Sequence, residues 1–253
     1  MIQREEIINR LIEELKPVEY INAMWEGGSE AFDRTDEWSD IDLGIDVKDK
    51  NIEEAFIKIE EVLKGIAPIK IKYRLPDPTW HGNPQAFYLL ENTSPFLMID
   101  LSVIPESNES KFTEKEIHGK LVFYFDKNGT ESKAVYNNES INVGLQKRRK
   151  HLENTFEMFK IMPLKEIKRK NYIEAFAFYN SYVLRPLIEL LRMKFGPEEH
   201  FNFATRYVHY ELPEDVVGRL EELYFCKDGD ELRRNYDEGV KWAEELLKEQ
   251  LKV

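Results

Sequence analysis

The position at which the hydrophobic periodicity changes is the feature of this sequence that most limits its fold. Up to about residue 140, short apolar runs with the two-residue alternation of β-strands are interspersed with helical patterns. After that point only the 3.6-residue periodicity of α-helices remains. This order predicts an α+β unit over residues 1–140, followed by a helical bundle over residues 141–253.

The apolar patterns also place the individual elements. In the first unit, helices are predicted over residues 2–15 and from Asn51 to Gly65, where Asn51 and Glu54 have the spacing of a capping box. Strands are predicted over residues 18–27, 41–47, 69–75, 85–90, 96–104 and 120–125. Further helices are predicted over residues 142–160, 171–195, 198–211, 214–225 and 229–252, with Pro163, Gly196-Pro197, Pro213 and Gly229 between them.

Charge and composition argue against several classes of function. The chain has 36 Lys and Arg against 48 Asp and Glu, a net charge of −12, whereas a general nucleic-acid binder carries the opposite excess. No apolar run approaches the roughly 20 residues of a membrane span, and charges interrupt the apolar residues at the N-terminus, unlike a secretory signal. Because Cys226 is the single cysteine, we expect no disulfide framework and a location in the reducing cytoplasm.

Two aspartates stand at the front of the predicted strand 41–47. Residues i and i+2 of a strand face the same side, so Asp40 and Asp42 should project next to each other. Carboxylates held about 5–7 Å apart repel each other unless a cation lies between them. Mg²⁺ prefers such oxygen ligands together with substrate phosphates, so this pair predicts a magnesium site.

A third carboxylate, Asp100, lies inside the very apolar segment 96–104, in the register opposite to its buried residues. A lone acid in such a strand is costly unless a cation or a polar network compensates its charge. If this strand is a neighbour of strand 41–47, Asp40, Asp42 and Asp100 converge on one point. That is the ligand set of two-metal phosphoryl or nucleotidyl transfer.

The segment Gly27-Gly28-Ser29 precedes the aspartates and is typical of a phosphate-binding turn. Glycines allow backbone N–H groups to approach a phosphate closely, and Ser29 can begin a short helix whose N-terminus favours anions. Taken alone, a Gly-Gly-Ser segment is usually only a turn. In front of the two aspartates, Gly28 and Ser29 are the predicted nucleotide-binding residues.

The pattern of Gly28 and Ser29, ten further residues, Asp40-x-Asp42 and a later Asp100 resembles the polymerase-β-type nucleotidyltransferase superfamily. The resemblance covers residues 18–104 and implies a short mixed β-sheet flanked by helices. It implies Mg²⁺-dependent transfer of a nucleoside monophosphate from a nucleoside triphosphate, with release of pyrophosphate. The arrangement of such a domain before a helical region is similar to the aminoglycoside and lincosamide nucleotidyltransferases.

On this interpretation, residues 1–140 form the catalytic domain and residues 141–253 close over the acceptor. Asp40 and Asp42 would bridge two Mg²⁺ ions, for which Mn²⁺ could substitute, and Asp100 would hold the metal that activates the acceptor hydroxyl. The general base would be Asp100 itself or a Glu of the helical region. The expected partners are ATP, as the donor of AMP, and a small, cationic, aminoglycoside-like acceptor, without nucleic acid or membrane.

Two other classes of function remain open from the sequence. The chain could be an antitoxin-type protein that binds or adenylylates a partner protein, or a non-catalytic nucleotide-binding module. Retention of all three carboxylates argues against the second, because a degenerate site has no use for costly acids. Outside the motif, we expect the basic run 147–150 to be a solvated helix face, and the segment 75–95, which contains His81, to form a hairpin near the acceptor.

Overall fold

The computed structural model describes residues 1–249 and divides into two compact units, Met1–Tyr136 and a second unit that begins at Asn137. The first unit contains both strands and helices and the second contains helices, so the predicted α+β class is confirmed. The division lies a few residues before the predicted one, and Asn137 is the N-terminal cap of a helix that begins at Asn138. Its side chain accepts a hydrogen bond from the amide of Ser140 (3.0 Å), a helix cap that the sequence interpretation missed.

The first unit is built on a mixed six-stranded sheet. Its helices are α1 (Arg4–Leu15), α2 (Ile52–Ile66) and α3 (Lys115–His118), and its strands are β1 (Ile21–Glu26), β2 (Ile41–Val47), β3 (Ile69–Arg74), β4 (Gln85–Leu90), β5 (Ile99–Pro105) and β6 (Val122–Asp126). The strand order is β3-β4-β5-β2-β1-β6. Strands β2 and β5 are parallel, and the other neighbouring pairs are antiparallel.

One face of this sheet is covered by α1 and α2. Alternate residues of β2, such as Ile41 and Ile45, lie in a core with Leu11 of α1 and Ile59 of α2. The amphipathic pattern of both helices therefore did predict their buried faces. The capping box was wrong in detail, because the side-chain amide of Asn51 donates to the carboxylate of Glu54 instead of the helix backbone.

The other face of the sheet, called here the second face, carries the remaining alternate residues. Trp25 of β1 is buried on this face, stacks on Phe123 of β6 (5.3 Å between ring centroids) and lies against Gly44 of β2. A Cβ atom at Gly44 would come within 2.3 Å of the Trp25 ring. Close packing against Trp25 therefore requires glycine at position 44, two residues after Asp42 in β2.

The second unit consists of helices α4 (Asn138–Phe159), α5 (Ile161–Arg169), α6 (Tyr172–Tyr179), α7 (Arg185–Phe195), α8 (Val208–Glu211), α9 (Glu214–Tyr224) and α10 (Gly229–Lys248). A π-helical turn, Asn180–Leu184, joins α6 to α7. The predicted helix 198–211 is wrong over most of its length, because Ala204 and Tyr207 have positive φ angles (51° and 61°) that no α-helix accommodates. The predicted end of the last helix, residue 252, lies outside the described residues. Within residues 1–249, no helix combines the length and apolarity needed to cross a membrane.

The basic run 147–150 is only partly the solvated face that the sequence predicted, because Lys147 and Lys150 are exposed but Arg149 is not. Arg149 is buried, and its guanidinium donates to the carbonyl oxygens of Leu246, Leu247 and Glu249 (2.8–2.9 Å). Cations at a helix C-terminus satisfy carbonyl groups that have no partner within the helix. The charge of Arg149 therefore stabilises the end of α10 and is not available to an external ligand.

A buried ion pair lies on the second face of the sheet. Asp46 of β2 and Lys111 are both buried, with 2.9 Å between Nζ and Oδ2. Asn22 and Thr130 also donate to the Asp46 carboxylate, each at 3.0 Å. Lys111 donates in addition to the carbonyl oxygen of Pro105 (2.9 Å). Both charges are therefore well satisfied by hydrogen bonds, which is the condition under which such a pair is tolerated in a core.

We expect Lys111→Met to lower the free energy of unfolding by about 3–5 kcal/mol, because it leaves the Asp46 carboxylate buried without its cation. The double variant Asp46→Asn with Lys111→Met should recover most of this loss. Chemical denaturation monitored by circular dichroism gives both values. As a matched control, Lys150→Met removes an exposed pair with Glu153 (3.2 Å) and should cost less than about 0.5 kcal/mol. A Lys111→Met variant as stable as the control would contradict the assignment.

Candidate active site

The structure brings Asp42 and Asp100 side by side. Strands β2 and β5 are parallel neighbours, and Asp42 and Asp100 are direct partners in their register. Neighbouring strands lie about 4.8 Å apart, and both side chains point to the second face because the residues flanking them are buried on the helix-covered face. The sequence predicted that the carboxylates converge only if these two strands are neighbours, and the structure has them as neighbours.

Asp40 lies in the loop directly before β2 and is fixed through its backbone. The guanidinium of Arg4 donates to the Asp40 carbonyl oxygen and also pairs with the carboxylate of Glu26, which is buried at the end of β1. Tyr124 donates to the second oxygen of Glu26. Burial raises the pKa of the Glu26 carboxyl, against the effects of Tyr124 and Arg4. The sequence interpretation missed Arg4 and Glu26, although an acid that ends an apolar strand was an available signal.

Gly28 is in direct contact with the Asp42 carboxylate. Its φ angle is +56°, a conformation that side chains other than glycine rarely adopt, and an added Cβ would lie 1.7 Å from Oδ2 of Asp42. The preceding residue is also tied to β2, because the amide of Gly27 donates to the Asp42 carbonyl oxygen (2.9 Å). Two separate constraints, one steric and one conformational, therefore require glycine at position 28.

Ser29 is the N-terminal cap residue of a short 3₁₀ turn, Glu30–Phe32, so it begins a helical turn as the sequence suggested. Its carbonyl oxygen accepts from the amides of Phe32 (3.2 Å) and Arg34 (3.0 Å), and its hydroxyl lies 3.4 Å from Thr35 Oγ1. The first amides of a helical turn point away from the carbonyl groups of that turn. This turn directly follows Gly28, which contacts Asp42, and the phosphate-binding role of Gly28 and Ser29 stays a prediction.

Asp100 is held by side chains from the segment 75–95. Gln85, at the start of β4, donates from Nε2 to Oδ1 of Asp100 (2.5 Å), and Nε2 of His81 lies 3.0 Å from Oε1 of Gln85. Burial raises the pKa of the Asp100 carboxyl, the Gln85 hydrogen bond opposes this rise, and the nearby charge of Asp40 adds to it. Asp40 and Asp100 are therefore electrostatically coupled, and segment 75–95 contacts a predicted site residue.

The donor chemistry of these residues suits a hard divalent cation. Asp42 and Asp100 are paired carboxylates, and Asp100 is half-buried with a raised pKa, which are conditions that a cation relieves. Within residues 1–249, no group of three or more His, Cys, Asp or Glu side chains is arranged so that it could hold a metal ion. The two-strand pair thus fits a metal by its chemistry, and the three-carboxylate ligand set stays a prediction.

No family model and no curated protein matches this chain. Among solved structures, an aminoglycoside 6-adenyltransferase from Bacillus subtilis is similar at 15% identity and a TM-score of 0.36, over 99% of this chain and 93% of that one. A spectinomycin adenyltransferase from Enterococcus faecialis, solved with ATP and spectinomycin, is similar at 12% identity and a TM-score of 0.37, over 99% and 92%. Both TM-scores are below 0.5, so the chemistry of this chain has to follow from its own residues.

We expect Gly28→Ala to destabilise the fold by about 1–3 kcal/mol from backbone strain and to displace the Asp42 carboxylate as well. Gly129→Ala is the matched control, because Gly129 also has a positive φ (68°) but its added Cβ would meet only the flexible Ser132 side chain at 3.1 Å. Gly129→Ala should show the loss from backbone strain alone in thermal melts, and Gly28→Ala should lose at least as much stability. Only Gly28→Ala should also lose binding of Mn²⁺ or nucleotide, and equal binding by the two variants would contradict the contact described.

Asp100→Asn should stabilise the metal-free protein at neutral pH. Because the pKa of Asp100 is higher in the folded than in the unfolded chain, ionisation of this carboxyl costs folding free energy as the pH rises through the folded-state pKa. In EDTA, the variant should melt above wild type at about pH 7, and the difference should shrink as the pH falls below the raised folded-state pKa of Asp100. A difference in melting temperature between Asp100→Asn and wild type that stays constant with pH would contradict the burial effect.

Proposed function

We propose that this protein is a Mg²⁺-dependent nucleotidyltransferase, which transfers AMP from ATP to a hydroxyl group of a small acceptor and releases pyrophosphate. The observation that supports this most is the pairing of Asp42 with Asp100 beside the Gly28 turn. Two carboxylates on neighbouring parallel strands repel each other without a cation, and a phosphate-binding turn in contact with one of them serves to place a nucleotide there.

The roles of the individual residues follow from their positions. The amides at Gly28 and Ser29 would bind the β- and γ-phosphates, and the Asp40, Asp42 and Asp100 carboxylates would hold the metal. Bound Mg²⁺ supplies charge neutralisation for the triphosphate and makes the acceptor hydroxyl more acidic. Asp100, whose pKa burial raises, is suited to receive the hydroxyl proton, and a Glu of the helical unit is the alternative.

A cationic acceptor, such as an aminoglycoside-like polyamine, fits the charge of the chain best. The net charge of −12 repels polyanions, and Arg148 and Arg149 of the strongest basic run are engaged in internal contacts. Of the two acidic residues considered from the sequence, Glu189 is bound by Arg148 (2.6 and 2.9 Å), whereas Glu174 is exposed.

Asp42→Asn should reduce turnover by about 10²–10³-fold, the effect of losing several kcal/mol of transition-state stabilisation. Pyrophosphate release from ATP measures it, with and without Mg²⁺. The folded state should be retained, and its thermal shift on addition of Mg²⁺ and ATP should disappear. Asp237→Asn, an exposed change on α10, controls for the substitution itself. If Asp42→Asn responds to Mg²⁺ and ATP as wild type does, the metal assignment is wrong.

We expect labelled AMP to appear on a small cationic molecule. The assay supplies ATP labelled in the adenosine or α-phosphate to aminoglycosides, lincosamides, transfer RNA and a protein extract in parallel. Added salt should weaken the reaction with a polycation, since charges on a protein surface are screened over about 8 Å at physiological ionic strength. Label that enters protein alone would favour the antitoxin-type function instead, and label in RNA alone would overturn the charge argument.

A further inference from the structure

A chain of hydrogen bonds leads from the loop before β4 to the candidate site. Nε2 of His81 lies 3.0 Å from Oε1 of Gln85, and Nε2 of Gln85 lies 2.5 Å from Oδ1 of Asp100. At the other end of this series of hydrogen bonds, the backbone amide of Asn83 donates to Nδ1 of His81 (3.2 Å). Three side chains, one from the loop and two from neighbouring strands, are thus joined in line.

The directions of these bonds fix one another. Because Nδ1 of His81 accepts from the Asn83 amide, the proton of the neutral ring is on Nε2, which donates to Gln85 Oε1. The amide of Gln85 then has only one useful orientation, with its oxygen towards His81 and its NH₂ towards Asp100. His81 therefore prevents the Gln85 amide from flipping, and Gln85 always presents a donor to Asp100.

The loop that carries His81 is itself well anchored. The hydroxyl of Thr79 donates to the carbonyl oxygen of Asn83 (2.8 Å), which closes the loop. Asn83 is fully buried, and its side-chain oxygen accepts from Asn108 (2.6 Å). The ring of Phe112 packs edge-on against His81, with 5.8 Å between centroids. These contacts hold His81 in place without any contribution from Asp100.

The hydrogen bond from Gln85 makes the two carboxylate oxygens of Asp100 different. Oδ1 accepts from Gln85, and no other hydrogen bond among residues 1–249 is made by this carboxylate. Oδ2 is therefore the oxygen left for a metal ion or for a proton. A partner on one oxygen of a carboxylate fixes its rotamer and the direction of the other oxygen, as outer-shell partners of metal ligands do.

We propose that Gln85, oriented by His81, is the positioning residue of this site and directs Oδ2 of Asp100 towards the metal. The inference rests on the proposed function and gives segment 75–95 a specific part in it. Gln85 touches neither substrate nor metal, so it acts only through Asp100. Its loss should weaken metal affinity and slow turnover. At saturating Mg²⁺ it should leave the KM for ATP nearly unchanged, because the phosphates would be bound at Gly28 and Ser29.

Four variants test this. Gln85→Met keeps the shape of the side chain and removes its donor, so Mn²⁺ affinity and kcat should each fall by about 10–100-fold. His81→Gln retains a nitrogen that reaches Gln85 and should stay near wild type. His81→Asn retains an acceptor for the Asn83 amide but does not reach Gln85, so it should resemble Gln85→Met. Gln146→Met, on the exposed side of α4, controls for the substitution.

Mn²⁺ affinity is read from the electron paramagnetic resonance signal of free Mn²⁺, with a non-hydrolysable ATP analogue present, and therefore does not require turnover. His81→Asn placed in the Gln85→Met background should add no further loss, because both act through the same bond. An additive further loss, or a Gln85→Met variant with wild-type Mn²⁺ affinity and melting temperature, would overturn the positioning role. A merely structural role would lower the melting temperature of both His81 variants alike, which would also overturn it.

The same measurement separates this inference from the proposed function. If wild type binds Mn²⁺ and the Gln85 and His81 variants behave as described, but no acceptor is ever labelled, the transfer reaction fails and the positioning role stands. If wild type transfers AMP and the Gln85→Met variant is unchanged, the positioning role fails alone. If wild type binds no Mn²⁺ under any condition, both are overturned.

Discussion

The parallel pairing of β2 with β5 is the interaction on which the rest of the site depends. Because the two strands run in the same direction, their registers place Asp42 and Asp100 as direct neighbours. A slip of one residue in either strand would turn its carboxylate towards the core beneath α1 and α2 and move apolar residues to the other face. The buried residues on either side of each aspartate therefore do two things: they build the core, and they fix the carboxylates on the second face.

Each carboxylate of this pair is constrained from a different side. Gly28 packs directly against the Asp42 carboxylate, and Gln85 donates a hydrogen bond to that of Asp100. Asp40 is held through its backbone by Arg4, the first residue of α1. Three separate segments of the chain thus meet near the N-terminal ends of the central strands β2 and β5. The carboxylates are therefore held in place before any ligand binds. Such preorganisation matters most in reactions that a protein promotes by positioning and electrostatics, without forming a covalent bond to the substrate.

Buried charges elsewhere in the first and second units are compensated by partners within the chain, and they provide a comparison for Asp100. Asp46 and Lys111 neutralise each other and have further hydrogen-bond partners, and Arg149 caps the carbonyl groups that end α10. Their charges are satisfied within the chain. By contrast, Asp100 accepts one hydrogen bond within residues 1–249, from Gln85, and lies near the like charge of Asp40. A site built this way is suited to a cation supplied from outside the chain.

The sequence by itself determined the fold class, the bounds of β2 and β4, and the faces of the amphipathic helices, because alternation of residues along a chain is a local property. It also singled out Asp100 as an unusual acid. It did not find the Gln85–His81 chain, the burial of Arg149 or the break around Tyr207. The first two depend on which segments become neighbours in space. The break depends on positive φ angles at Ala204 and Tyr207, where the sequence has no glycine or proline to indicate it. Only the tertiary structure decided them, since strand order and long-range hydrogen bonds join residues whose separation in the sequence carries no periodic signal.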